Sequence, residues 1–183
     1  MTLVPMSVHL YQKRCQLEPI LNNIFHDDEN KTIYDCHTPN SMNHRTTTIS
    51  KSLGHTSDTD NSDNFEYIAQ IDWRVIHSSK IRFANGRFSG QEMKASDYLK
   101  KKSWTGRQHV FTAEDGKEYI WRDSTLHIRL FLTDKVETPV AVYRRETLRK
   151  GAHLEILPLG KDLMDEIVVT VVYIEQQNMA QIS

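Results

Sequence analysis

The uncharged run Ile167-Val-Val-Thr-Val-Val-Tyr-Ile174 limits the folds open to this chain more than any other segment. Its β-branched side chains suit a pleated strand. Yet the stretch from Lys161 to Met179 continues for 19 residues without Gly or Pro, a length at which a helix is expected. On a helix, Leu163, Ile167, Thr170, Val171 and Ile174 share one face, Met164, Val168 and Val172 widen it, and Val169 and Tyr173 cover much of the remainder. A helix that is apolar nearly all round is a buried helix. Gly160 offers a break before it, and Asp162, Asp165 and Glu166 fall in its first turns, where the positive end of the macrodipole favours carboxylates. A buried C-terminal helix is therefore expected, with a last edge strand as the alternative.

Most of what precedes this run reads as strands. From Glu66 to Ile76 the residues alternate, with Tyr67, Ala69, Ile71, Trp73 and Val75 on one face and Glu66, Gln70, Asp72 and Arg74 on the other. Leu126, Ile128, Leu130 and Leu132 repeat the pattern, opposed by His127 and Arg129. Asn85-Gly86, between Lys80 to Phe83 and Arg87-Phe88, and Asp115-Gly116, between Val110-Phe111 and Tyr119 to Trp121, predict two hairpins, since both dipeptides tolerate positive φ. Further strands are expected at Ser7 to Gln12, Thr32 to Cys36, Thr46 to Ser50, Val140 to Arg144 and His153 to Leu157, and one helical turn at Ser96 to Lys102 with Ser96 as its N-cap. Residues 52–64, rich in Ser, Thr, Asp, Asn and Gly, read as a mobile loop within one domain spanning 1–183. The chain is mainly β, with antiparallel strands spaced as in sandwiches and barrels.

Composition excludes several function classes. A formal charge of -1 over 183 residues does not support general nucleic-acid binding, which needs a strongly basic face to release phosphate counterions. The two cysteines, Cys15 and Cys36, form no disulfide framework and read as free thiols in a reducing compartment. The N-terminus lacks the charged and apolar regions of a secretory signal, so Asn30-Lys-Thr32 is not expected to be glycosylated. No apolar run approaches the roughly 18–20 residues that span a bilayer. A cytoplasmic protein without a transmembrane segment is expected.

Several groups of residues together resemble a known family: Ile33-Tyr34, Thr38-Pro39, Thr46 to Ile49, Phe65 to Trp73, the pattern Phe111-Thr-x-x-Asp-Gly-x-x-Tyr-x-Trp121, Pro139-Val-Ala141, and Leu163 to Glu175. In this order they resemble an uncharacterised domain family common in basidiomycete fungi, over about Ser7 to Gln177. That family is similar to the tubby C-terminal superfamily, which includes plant LURP-one-related proteins and phospholipid scramblases. The resemblance implies a closed antiparallel tubby-like barrel of roughly ten to twelve strands around the C-terminal hydrophobic helix. Tubby domains bind phosphoinositides through basic residues, but no such motif matches here position by position, and scramblase-type cysteine clusters and calcium-binding segments are missing. Lipid binding carried over from them rests on fold analogy.

The site candidates are few. The nine histidines, His9, His26, His37, His44, His55, His77, His109, His127 and His153, include no i, i+4 pair, and neither cysteine lies in a CxxC motif, so no metal site is expected and surface histidines are the default reading. With no nucleophile elbow and no phosphate-cradling loop around Gly86 and Gly90, the sequence indicates no catalytic residue and no cofactor; Glu114 and Asp115 read as turn residues. Two cationic groups remain, Lys100-Lys-Lys102 with Arg107, and Arg144-Arg145 with Arg149-Lys150. Such runs are commonly solvated faces. The second group ends a predicted strand next to Gly151 and is the preferred anion or lipid site. Trp73 and Trp121 read as core, and Trp104 as an exposed platform. The expected function is thus a non-enzymatic binding module for a partner protein or an anionic lipid such as a phosphoinositide. A hydrolase or small-molecule-processing enzyme with a pocket at a barrel mouth is the alternative.

Overall fold

The computed structural model describes residues 6–13, 20–39, 45–54, 64–74, 78–102 and 106–182. Among these residues lie thirteen strands: β1 (Val8–Gln12), β2 (Asn23–His26), β3 (Thr32–His37), β4 (Arg45–Ser52), β5 (Phe65–Trp73), β6 (Lys80–Phe83), β7 (Glu92–Lys94), β8 (Lys100–Lys101), β9 (Gln108–Thr112), β10 (Glu118–Asp123), β11 (His127–Leu132), β12 (Lys135–Arg144) and β13 (His153–Ile156). A single helical turn, α1 (Ala95–Tyr98), links β7 to β8, and the chain ends in α2 (Met164–Ile182), entered through a 3-10 segment at Pro158–Leu163. The strands form one sheet in the order β7-β6-β5-β4-β3-β2-β1-β13-β12-β11-β10-β9-β8. Strands consecutive in sequence pair antiparallel, except that β7 and β8 do not pair, and the first strand also pairs with the last, Leu10 opposite Leu154.

The expected C-terminal helix is present, and its burial shows how the sheet is shaped. Ile167, Val168, Val169, Thr170, Val171, Val172 and Ile174 are fully buried. The contacts of α2 reach both arms of the sheet. Asp165 accepts hydrogen bonds from Tyr34 and Lys51 on β3 and β4, Tyr173 stacks on Trp73 of β5 at 5.7 Å, and Trp121 of β10 donates its indole N–H to Thr170 Oγ1 at 3.0 Å. Thirteen strands laid flat would extend roughly 60 Å at the usual interstrand spacing, several times the diameter of a helix. The sheet therefore curls around α2, and its inward side chains bury every face of the apolar run. Helix packing thus outweighs the strand preference of the valines.

The expected closed barrel of roughly ten to twelve strands is corrected in two respects: the sheet has thirteen strands and, among the described residues, its ladder is not closed. The opening lies between β7 and β8, three and two residues long. There the linking residues coil into α1 and send Tyr98 inward, where its ring meets Phe83, Phe88 and Phe111 at 5.4–5.7 Å. Glu166 of α2 supplies polar contacts in this region, accepting from the Tyr98 hydroxyl at 2.7 Å and from the Glu114 backbone N–H at 2.9 Å.

Other departures have local causes. Between Ile49 and Ser50 the register with β5 shifts, so Ile68 is an additional residue on β5; Ile68 and Ala69 are both buried while Tyr67 turns outward. Arg87-Phe88 forms a turn instead of a strand, and β6 pairs with β7 across a longer loop. Ser96 does not cap α1; its hydroxyl meets that of Ser78 at 3.0 Å. Gly160 lies inside the 3-10 segment, so α2 begins at Met164 and runs past Met179, and a Cβ at Gly160 would approach the Val140 carbonyl oxygen to 2.8 Å. The Asp115-Gly116 hairpin forms as expected, with Gly116 at φ 79. Of the proposed mobile loop 52–64, residues 55–63 lie outside the described residues, as do Trp104, Cys15, His44, His55 and His77.

One buried residue makes stability depend on pH. His109 of β9 is 2% exposed, and burial first, then the charge of Lys101, lowers its imidazole pKa to about 4. Its unfolded value is about 6.5, so the unfolded chain takes up a proton first. The stability associated with the neutral ring is complete above about pH 6.5 and falls as pH drops toward 4, by about 3 kcal/mol in all. Urea unfolding at pH 7 and pH 4.5 should show a smaller acid loss in His109→Phe than in the parent; equal losses would show that the ring is solvated. Glu166, whose pKa burial raises, acts in the opposite sense in both proteins and cancels from the comparison.

Candidate functional site

The outer face of β11, β12 and β13 carries a cleft of about 470 Å³. Its residues follow from strand alternation. On β11, Ile128 and Leu130 point into the core while His127 and Arg129 point out, and on β13 Leu154 and Ile156 point in while His153 and Glu155 point out. Register then assembles them: His127 is opposite Arg144, Arg144 is opposite His153, and one pair along the strands Arg129, Val142 and Glu155 are aligned. Directly opposed side chains lie about 5 Å apart at Cβ. Three successive strands of the meander thereby present one surface.

Val142, Pro139 and Leu126 provide apolar lining, and Arg129, Arg144 and Lys150 provide charge. Arg144 donates from Nη1 to Glu155 Oε2 at 2.8 Å and lies 3.3 Å from His153 Nε2. Neither Arg129 nor Lys150 makes an ion pair among the described residues. The pKa of both His127 and His153 is lowered, by burial first and then by Arg129 and Arg144 at His127 and by Arg144 and His9 at His153, so their rings are neutral near pH 7. His127 has one N–H to offer, whereas His153 accepts from Arg144 at Nε2 and bonds the Gly151 backbone through its other nitrogen. Counting Arg129, Arg144 and Lys150 against Glu155, the cleft holds a net positive charge. This arrangement suits a small anionic group resting beside an apolar surface.

The four cations singled out from the sequence do not share one role. Arg144, Arg145 and Lys150 all border the cleft. Arg149 is exposed on a turn in which the Thr147 N–H bonds the Lys150 carbonyl at 2.8 Å, beside Leu148, which is wholly exposed. The guanidinium of Arg145, however, turns from the cleft toward Glu175 and Asp123. Its Nε reaches Glu175 Oε1 at 2.9 Å, its Nη2 reaches Glu175 Oε2 at 2.8 Å and Asp123 Oδ1 at 2.9 Å, and its Nη1 bonds the Ser124 and Thr125 carbonyls. With its donors engaged and its charge balanced by two carboxylates, Arg145 fastens the end of β12 to α2.

The sequence had not placed His127, Arg129 or His153 in the anion site. Their outward position on each strand was readable from alternation, but the register that aligns them, with its shifts between Leu130 and Leu132, is not recorded in any one strand. The other cationic group is split. Lys100 and Lys101 form β8 at the sheet opening, while the Arg107 carbonyl accepts from Asp123 N–H at 2.9 Å. Cys36 is buried, its thiol pKa raised by burial beyond the range of a nucleophile. Trp121 is fully buried and Trp73 packs against the core, as expected. Among the described residues no group of three His, Cys, Asp or Glu side chains could hold a metal ion, and no helix is long and apolar enough to cross a membrane.

No curated protein and no solved structure is significantly similar to the chain. A family model does match, over residues 18–180, which span the sheet from β2 onward and nearly all of α2. The chain belongs to the family of unknown function DUF6593.

Proposed function

We propose that this protein is a non-enzymatic binding module of the cytosol, related to tubby-like domains, whose outer cleft takes the phosphate-bearing headgroup of an anionic lipid. The observation that carries the reading is the conjunction at the cleft's rim. Arg129 and Lys150 have no counter-ion among the described residues, and the adjoining turn displays Leu148 in full exposure next to Arg149. An exposed apolar side chain next to the cations of a turn suits a membrane surface, where the cations meet phosphates and the leucine leaves water. A soluble anion would use the charges and leave Leu148 without a role.

Co-sedimentation with phosphatidylcholine vesicles, with and without phosphoinositide, tests the proposal. The parent protein binds the anionic vesicles, and a variant carrying Arg129→Ala, Arg149→Ala and Lys150→Ala binds on the order of a hundredfold more weakly, since each cation contributes about 1 kcal/mol at an anionic surface. Leu148→Ser weakens binding without altering its salt dependence. Binding that is absent, or indifferent to both variants, defeats the proposal and leaves a partner protein as the ligand to seek. Arg145 stays intact in this design because its removal disturbs the fold.

A further inference from the structure

A second polar arrangement lies elsewhere and shares no residue with the outer cleft. Strand alternation places His109 on the inner side of β9 with Phe111, opposite Lys101 of β8 and Trp121 of β10. It is almost wholly buried, yet neither Nδ1 nor Nε2 has a hydrogen-bond partner among the described residues. Buried imidazoles are ordinarily satisfied, because each unmet polar atom retains its desolvation cost. The location of this ring suggests why the cost is carried.

His109 lines a cavity of about 500 Å³ beside the sheet opening. Ser78 and Ser79 enter it from the segment before β6, Ser96 from α1, Lys101 from β8 and Arg74 from just after β5. These elements are tied together, since the Ala95 N–H bonds the Ser79 carbonyl at 2.7 Å and the Ser78 and Ser96 hydroxyls are 3.0 Å apart. Tyr173 of α2 adds an aromatic wall, held parallel to Trp73 within 5°. The lining includes two cations, three serine hydroxyls, the Tyr173 hydroxyl and a neutral imidazole, and among the described residues no carboxylate. Its size falls in the range of pockets that hold small molecules.

We propose that this cavity binds a small molecule bearing an oxyanion, with the phosphate or carboxylate oxygens held by Lys101, Arg74 and the serine hydroxyls and His109 donating one N–H from the inner wall. An oxyanion has acceptors and no need of donors, which matches a lining dominated by donors. A cationic ligand would meet two like charges and no carboxylate in the lining. The proposal is independent of the lipid reading and survives its failure.

Imidazole NMR of the full chain tests it, with inorganic phosphate, glycerol 3-phosphate and citrate as separate probes. At least one probe produces a saturable shift of the His109 ring signals, and the tightest distinguishes phosphate from carboxylate. Lys101→Ala, at an exposed position on β8, weakens that binding about tenfold or more, the usual effect of losing a charged hydrogen-bonding partner. The parent's melting curve, unchanged in this variant, separates a lost ligand contact from a lost fold. His109 signals that stay fixed up to roughly ten millimolar of every probe, or that move equally in Lys101→Ala, overturn the proposal. Shifts confined to His127 and His153 overturn it as well and place the anion in the outer cleft.

Discussion

Val168→Asp abolishes cooperative folding. Val168 is fully buried on the face of α2 that lies within the sheet, among side chains that form one continuous apolar cluster. The substitution forfeits the valine's burial, about 1.5 kcal/mol or more, and places a carboxylate where its desolvation costs several kcal/mol. Domains of this size are stable by only about 5–15 kcal/mol, and α2 touches both arms of the sheet, so no part of the core is insulated from the change. Circular dichroism and urea titration should show no cooperative transition. Val168→Thr provides the control: its hydroxyl can bond back to a helix carbonyl, as Thr170 does to Glu166 at 2.8 Å, and it costs about 1–3 kcal/mol while preserving the transition. A soluble Val168→Asp protein that melts cooperatively would refute the enclosed helix.

Arg145→Ala destabilises the protein by about 3 kcal/mol, the cost of breaking a largely buried ion pair by removing one partner. The side chains of Glu175 and Asp123 are 9% and 13% exposed, so both carboxylates lose their counter-ion without gaining full hydration. Arg145→Lys recovers only part of the loss, because an ammonium cannot reproduce the two-pronged contact with Glu175 while also reaching the Ser124 and Thr125 carbonyls. Glu175→Gln combined with Arg145→Ala should be less destabilising than the sum of the two, giving a coupling energy measurable by urea unfolding. A variant with unchanged stability but weakened vesicle binding would return Arg145 to the surface site. Arg144, the last residue of β12, keeps its guanidinium on the outer face with Glu155, whereas that of Arg145 just beyond the strand is taken up by Glu175 and Asp123.

The legible parts of the fold were those encoded by short-range periodicity. The C-terminal helix was readable because its apolar residues exhaust the circumference of a helix over a length few strands reach, and the Asp115-Gly116 hairpin because the turn demands positive φ at Gly116. The β5 alternation was readable only up to the bulge. Ile68 breaks the phase because of how β4 pairs with it, and neither strand alone records that. The Asn85-Gly86 hairpin was misplaced for a similar reason. Phe88 packs against Phe83 and Tyr98 in the opening of the sheet, and this contact outweighs continuation of a strand.

By itself the sequence determined that a buried helix ends a mainly antiparallel β chain, since a period of 3.6 or of 2 is written in residues a few positions apart. It also marked outward-facing positions such as His127 and Arg129 one strand at a time. Tertiary structure alone decided that β1 pairs with β13, leaving the sheet's opening in mid-chain at α1. It likewise joined His127, Arg144 and His153 in one row, spent Arg145 on Glu175 and Asp123, and set His109 beside a cavity of cations and hydroxyls. The physical reason is register: alternation chooses the face on which a side chain emerges, whereas its cross-strand neighbours are set by the pairing register, which the packing of the whole core around α2 selects.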